Sequence, residues 1–124
     1  LASRRAAMAD AELLRAQRAS ENAQRALIDA DHALRACIAD VALQRDQLRA
    51  ACQAEAGEAR SLQRWREDDQ AQIDRIEVSR RHVADRARDR DAAELALGEA
   101  LDRQRALARR REKYSLLEEQ LREA

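Results

Sequence analysis

Two cysteines, two histidines, a run of arginines and a lone tryptophan are the side chains in this chain that could carry chemistry. Cys37 and Cys52 lie fifteen positions apart. On one helix, that spacing separates them by about 22 Å, too far for a disulfide. They are read as small residues of a packing seam, since neither has a metal-ligand companion. His32 and His82 stand alone, without a second histidine or cysteine at the three- or four-residue spacing that aims two ligands at one ion. Neither a cofactor nor a metal is expected. No nucleophile with a base, paired carboxylate site or phosphate loop is present, and an enzyme is not expected.

Arg109, Arg110, Arg111 and Lys113 form the densest positive cluster, to which Arg4 and Arg5 at the opposite end of the sequence could add. Such a patch could meet acidic loops of a partner. Equally, it could be a solvated helix face paired at helical spacing with Glu112, Glu118 and Glu119, each pair contributing only about 0.2–0.5 kcal/mol. Trp65, flanked by Arg64 and Arg66, is the one large anchor. It could bind a partner, because tryptophan brings much area with few torsions, or pack against a returning helix.

What must position these residues is helix. The 124 residues include no proline or phenylalanine, 39% are charged and 2% aromatic, so the bulky side chains of a globular core are missing. Leu13, Leu27, Leu34, Val41, Leu48 and Leu62 share one heptad position; Ala9, Ala16, Ala23, Ala30, Cys37 and Ala51 follow three residues later. This narrow seam of one bulky and one small residue per heptad requires a partner helix. Its alanines permit close approach, at interaxial distances of roughly 8 Å.

Between Ala56 and Gln72 the seam loses definition around Gly57, Ser61 and the run Glu67, Asp68, Asp69. A reversal is expected there, with Gly57 ending one helix and Asp68 or Asp69 capping the next. The reading is all-α: a single long antiparallel two-helix coiled-coil hairpin spanning 1–124. Helix 1 covers about 3–60, the reversal falls within 56–72, and helix 2 covers about 70–123. That arrangement sets Leu27 beside Leu101. A single unbroken helix dimerised in parallel is the rival, disfavoured by Gly57 and the changes of phase.

The second half carries Ile73, Ile76, Val83 and Ala87, then Ala93, Leu97, Ala100, Leu107, Tyr114 and Leu121. Tyr114 is read as core. Glu94 stands where the earlier phase asks for an apolar residue, so the stripe is expected to slip there. The alternating charges from Asp85 to Asp91 suggest a loose or bent section. Basic and acidic residues balance at 24 each. With few aromatic stacking platforms, nucleic acid is not an expected partner. No run approaches the roughly 20 apolar residues that cross a bilayer, and no signal-like stretch follows Leu1. A soluble, intracellular chain without membrane insertion is expected.

The opening run RRAAMADAELLRAQRASENAQRALIDADHALRACI, the central LQRWRE and the closing ALARRREKYSLLEEQLREA together resemble the stalk proteins of type III secretion, the FliJ and YscO family. In the closing run, an arginine cluster leads through Lys113 and Tyr114 to Leu116 and Leu117. The resemblance implies a cytoplasmic coiled coil, peripheral to the inner-membrane export apparatus and monomeric in solution. Its partners would be the hexameric secretion ATPase ring, the export gate protein and escort chaperones. Arg4, Arg5, Arg109, Arg110, Arg111 and Lys113 would then be the ATPase-binding candidates, and Arg64, Trp65 and Arg66 a second contact near the reversal. The alternative is a structural spacer or self-associating scaffold.

Overall fold

Straight-chain residues and alanine lose little or no rotamer freedom in a helix, and this composition gives two long ones. The computed structural model describes residues 2–54 and 59–124, the side chains of Ala2 and Ala59 excepted. Helix α1 is Ala2–Ala54 and α2 is Ala59–Glu123. They pack antiparallel as an all-α hairpin. None of the described helices is long and apolar enough to cross a membrane. The chain divides into two compact units, Leu1–Gln24 with Asp89–Ala124, and Arg25–Arg88.

In the second of these units, Ala30 and Val41 are 3% and 2% exposed. Leu27, Leu34, Cys37, Leu48 and Cys52 on α1 are half-buried, as are Trp65, Ile73, Ile76 and Val83 on α2. Two ion pairs set the register. Arg45 donates from Nε and Nη2 to the two carboxylate oxygens of Asp69, at 2.6 and 3.3 Å. Arg75 Nη2 lies 2.8 Å from Asp40 Oδ2. Numbers that fall on one helix rise on the other, which puts Leu27 level with Arg88.

The unit formed by residues 1–24 and 89–124 closes over Ala6, Ala9 and Ala100, with Leu13, Ala16, Leu97, Leu101 and Leu107 half-buried. Arg103 Nε donates to Glu12 Oε2 at 3.3 Å and Gln104 Nε2 to Asp10 Oδ1 at 3.5 Å. Leu101 is therefore level with Leu14. The pairing of Leu27 with Leu101 expected from the sequence is not the observed register, in which Leu27 is level with Arg88 and Leu101 with Leu14.

Helix α1 ends at Ala54 and α2 already runs from Ala59, so the stretch 59–72 is helical and holds no reversal. Gly57 lies outside the described residues. Asp68 and Asp69 are not caps; they sit inside α2, where Asp69 takes a seam position and is balanced by Arg45. Polar residues on the packing face, and not a turn, erased the apolar pattern there. Leu62 inherits no place in the α1 seam once the helix changes, and it is 44% exposed. On α1, Cys52 is half-buried while Ala51 is exposed, so the seam advances by one residue in its last turn.

The expected slip near Glu94 is also absent. Half-buried or buried residues recur on α2 at alternating steps of three and four, through Gln72, Ile76, Ser79, Val83, Arg86, Arg90, Ala93, Leu97, Ala100, Gln104 and Leu107. Arg86 and Arg90 stand on that face, and the helix is unbroken through them. Arg86 is half-buried with its Nε enclosed, and a long arginine stem can cover apolar surface on such a face. The Arg90 side chain is 31% exposed and pairs with Asp91 at 2.8 Å and Glu94 at 4.0 Å on its own helix. Arg90→Leu should therefore stabilise the hairpin by about 1 kcal/mol, by replacing a partly desolvated charge with a packed side chain. The check is a higher urea midpoint at unchanged m-value; a lower midpoint would show that the ion pairs matter more than the packing.

Candidate protein-interaction surfaces

The chemistry-bearing side chains fall into three places. In the unit of residues 25–88, Cys37 lines an open groove of about 590 Å³ together with Ala71, Asp74, Arg75, Val78, Ser79 and His82. Linear spacing could not bring Cys37 and His82 together, since they belong to opposite helices. Both cysteines are free thiols. Arg75 is engaged by Asp40 and by the Gln72 side-chain oxygen at 2.7 Å. Among the described residues, no three histidine, cysteine, aspartate or glutamate side chains gather as a metal site.

Arg45 is the residue in this unit whose titration is visibly perturbed. The hydrogen bond to Asp69 raises its pKa first, and the Asp69 charge raises it further. An arginine already protonated at every ordinary pH gains no chemistry from this. The pair acts as a register lock between helices.

Trp65 is half-buried on the seam face of α2, while Arg64 and Arg66 beside it are exposed. Its indole Nε1 is buried and has no hydrogen-bond partner among the described residues. The ring is thus partly used in packing. An indole N–H without an acceptor is unusual in a settled interior, because an unmet buried donor is costly.

The third place is in the unit of residues 1–24 and 89–124. Arg4, Arg5, Arg109, Arg110, Arg111 and Lys113 are all exposed. Counting outward from the Glu12–Arg103 pair sets Arg4 level with Arg111 and Arg5 level with Arg110. Antiparallel packing therefore brings cations from the two ends of the sequence to one level. No ion pair joins any of the six to a carboxylate among the described residues, so the pairing with Glu112, Glu118 and Glu119 that their spacing permits is not formed. Tyr114, read as core from its heptad position, is 63% exposed. By the same count it is level with Leu1, which lies outside the described residues. Periodicity could not warn of the exposure, since it shows which residues share a face and not what lies opposite.

No protein-family model, no curated protein and no solved structure matches this chain.

Proposed function

We propose that this chain is a cytoplasmic stalk component of a type III secretion system, which engages the hexameric export ATPase and couples it to the export gate and escort chaperones. The observation that carries the reading is the cluster of exposed cations, unpaired among the described residues, where the start of α1 comes level with residues 109–113 of α2. Arg4 and Arg5 from α1 and Arg109, Arg110, Arg111 and Lys113 from α2 offer a basic end to acidic loops of a ring. The resemblance of the opening, central and closing runs to the stalk family supplies the identity of that ring. Arg64, Trp65 and Arg66, at the other end of α2, provide a second contact for the gate protein. The function is mechanical coupling, and no residue of this chain is assigned a catalytic role.

The test is a pull-down against a hexameric secretion ATPase with hydrolysis followed in parallel. The chain should be retained and should change the rate. Replacing Arg109, Arg110, Arg111 and Lys113 together by alanine should weaken binding about tenfold or more at low salt and leave the circular dichroism unchanged. Retention and rate that are both indifferent to the chain would return it to the alternative, a structural spacer or scaffold. Unchanged affinity in the fourfold variant would remove these residues from the contact.

A further inference from the structure

One side of the unit of residues 1–24 and 89–124 joins an apolar groove to a pair of arginines with no acid in reach. Arg5, Met8, Ala9 and Glu12 from α1, with Arg103 and Leu107 from α2, line an open groove of about 190 Å³. Ala9 is buried, Leu107 is half-buried and Met8 is 64% exposed. Glu12 is already engaged by Arg103 at 3.3 Å, so the groove's own carboxylate is neutralised. The volume is below the roughly 300–1,000 Å³ of small-molecule sites and suits one apolar side chain of a partner.

The charge at one end of the groove says what that partner carries. Arg110 follows Arg103 by seven residues, two helical turns, and so extends the same rim of α2. Arg5, on the α1 rim, is level with Arg110. The residues three and four positions from Arg5 are Leu1, Ala2, Met8 and Ala9; those from Arg110 are Ala106, Leu107, Lys113 and Tyr114. None is acidic, so neither arginine has a carboxylate at helical spacing. No ion pair joins either of them to a carboxylate among the described residues. Two cations that antiparallel packing brings to one level repel each other and gain from an anion set between them. Arg4 and Arg109 are placed differently. They stand two positions, about 200° around the helix, from buried Ala6 and half-buried Leu107 respectively, and so lie on the outer faces.

We propose that this groove docks an acidic amphipathic helix of a partner protein. A carboxylate of that helix sits between Arg5 and Arg110, and an apolar side chain one turn along rests on Ala9 and Leu107 against Met8. Burial of the apolar side chain supplies attraction, and the cation pair fixes which way the helix lies.

The contact does not rest on the ATPase reading: a pull-down that fails leaves it standing, and its own failure leaves the pull-down untouched. Met8 is the single methionine of the chain, so a methyl-labelled methionine gives one NMR signal that reports on the groove. The probe is an alanine- and glutamine-based helical peptide of about 20 residues, blocked at both ends, with one glutamate and one leucine a turn apart. At low salt the Met8 signal should shift and saturate, with a dissociation constant of about 1 mM or below. R5A/R110A should reduce the shift at fixed peptide about fivefold or more. R4A/R109A removes the same charge from the outer faces and should change the shift by less than about twofold. Peptides with glutamine for the glutamate, or alanine for the leucine, should each bind as weakly as the first variant does. All four arginines are exposed, so helicity should not change and serves as the control. A Met8 signal that stays fixed up to about 3 mM peptide overturns the proposal. So do two double variants that weaken alike, which would mark diffuse attraction, and a leucine-free peptide that binds as well, which would mark an anion site alone. A Met8 signal that moves with chain concentration in the absence of peptide would assign the groove to a second copy and overturn the proposal too.

Discussion

Ala30→Leu should destabilise the hairpin by about 1–3 kcal/mol, whereas Ala33→Leu, one turn along on the exposed side, should change stability by less than about 0.5 kcal/mol. Of the five side chains most deeply buried among the described residues, four are alanines: Ala6, Ala9, Ala30 and Ala100. In most helix pairs leucine holds such places. Here the small residues let the backbones approach, and the gain comes from close packing along the whole seam and not from a few large anchors. Ala30 is 3% exposed, so a leucine there has no room without moving α2 outward, and that movement loosens the neighbouring Leu27 and Leu34 layers. Urea titration of the two variants checks the contrast. A stabilised Ala30→Leu protein would show that the seam has slack and that alanine is a neglected opportunity instead of a spacer.

The α1 seam could be read from the sequence because its packing face is chemically uniform. Leu13, Ala16, Ala23, Leu27, Leu34, Cys37 and Leu48 are half-buried, and Ala9, Ala30 and Val41 are buried, at the positions their heptads assign. The α2 face was not legible in the same way. Asp69, Gln72, Ser79, Arg86, Arg90 and Gln104 take seam positions there, and each reads as polar surface when only its type is known. What makes Asp69 acceptable is Arg45, 24 residues away on the other helix, a compensation that appears only once the register is fixed. Of the expected window 56–72, residues 56–58 lie outside the described ones and 59–72 are helix; pairing the chain about the middle of that window is what misaligned Leu27 and Leu101.

The basic patch shows the complementary failure. Its members were visible as residue types, and their assembly from both ends of the sequence follows from any antiparallel hairpin. Whether Arg109, Arg110 and Arg111 would be neutralised by Glu112, Glu118 and Glu119 was left open by spacing alone. The side chains leave them unpaired among the described residues, so the cluster keeps its charge for a partner. For Tyr114 the core reading was wrong, at 63% exposed, because burial is a property of two surfaces and the sequence pattern describes one.

Val41→Asp should be the most damaging single change. Val41 is 2% exposed and is the largest side chain so completely enclosed among the described residues. A carboxylate there would sit on the packing face next to Asp40, whose own partner Arg75 is already engaged. An uncompensated charge in such a site costs about 3–5 kcal/mol, comparable with the lower end of the total stability of a small folded protein, about 5 kcal/mol. Most of the helical circular dichroism at 25 °C should be lost at pH 7. Burial raises the pKa of the introduced carboxyl above its unfolded value, so the folded form binds the extra proton. The penalty therefore shrinks as pH falls through the folded pKa, and helicity relative to the parent chain should partly return toward pH 4–5. Val41→Asn separates charge from polarity: it should cost less, about 1–3 kcal/mol, and show no such recovery on acidification. Equal losses for the two variants at pH 7, or an aspartate variant as helical as the parent, would mean that the seam at Val41 is wetter than its burial indicates.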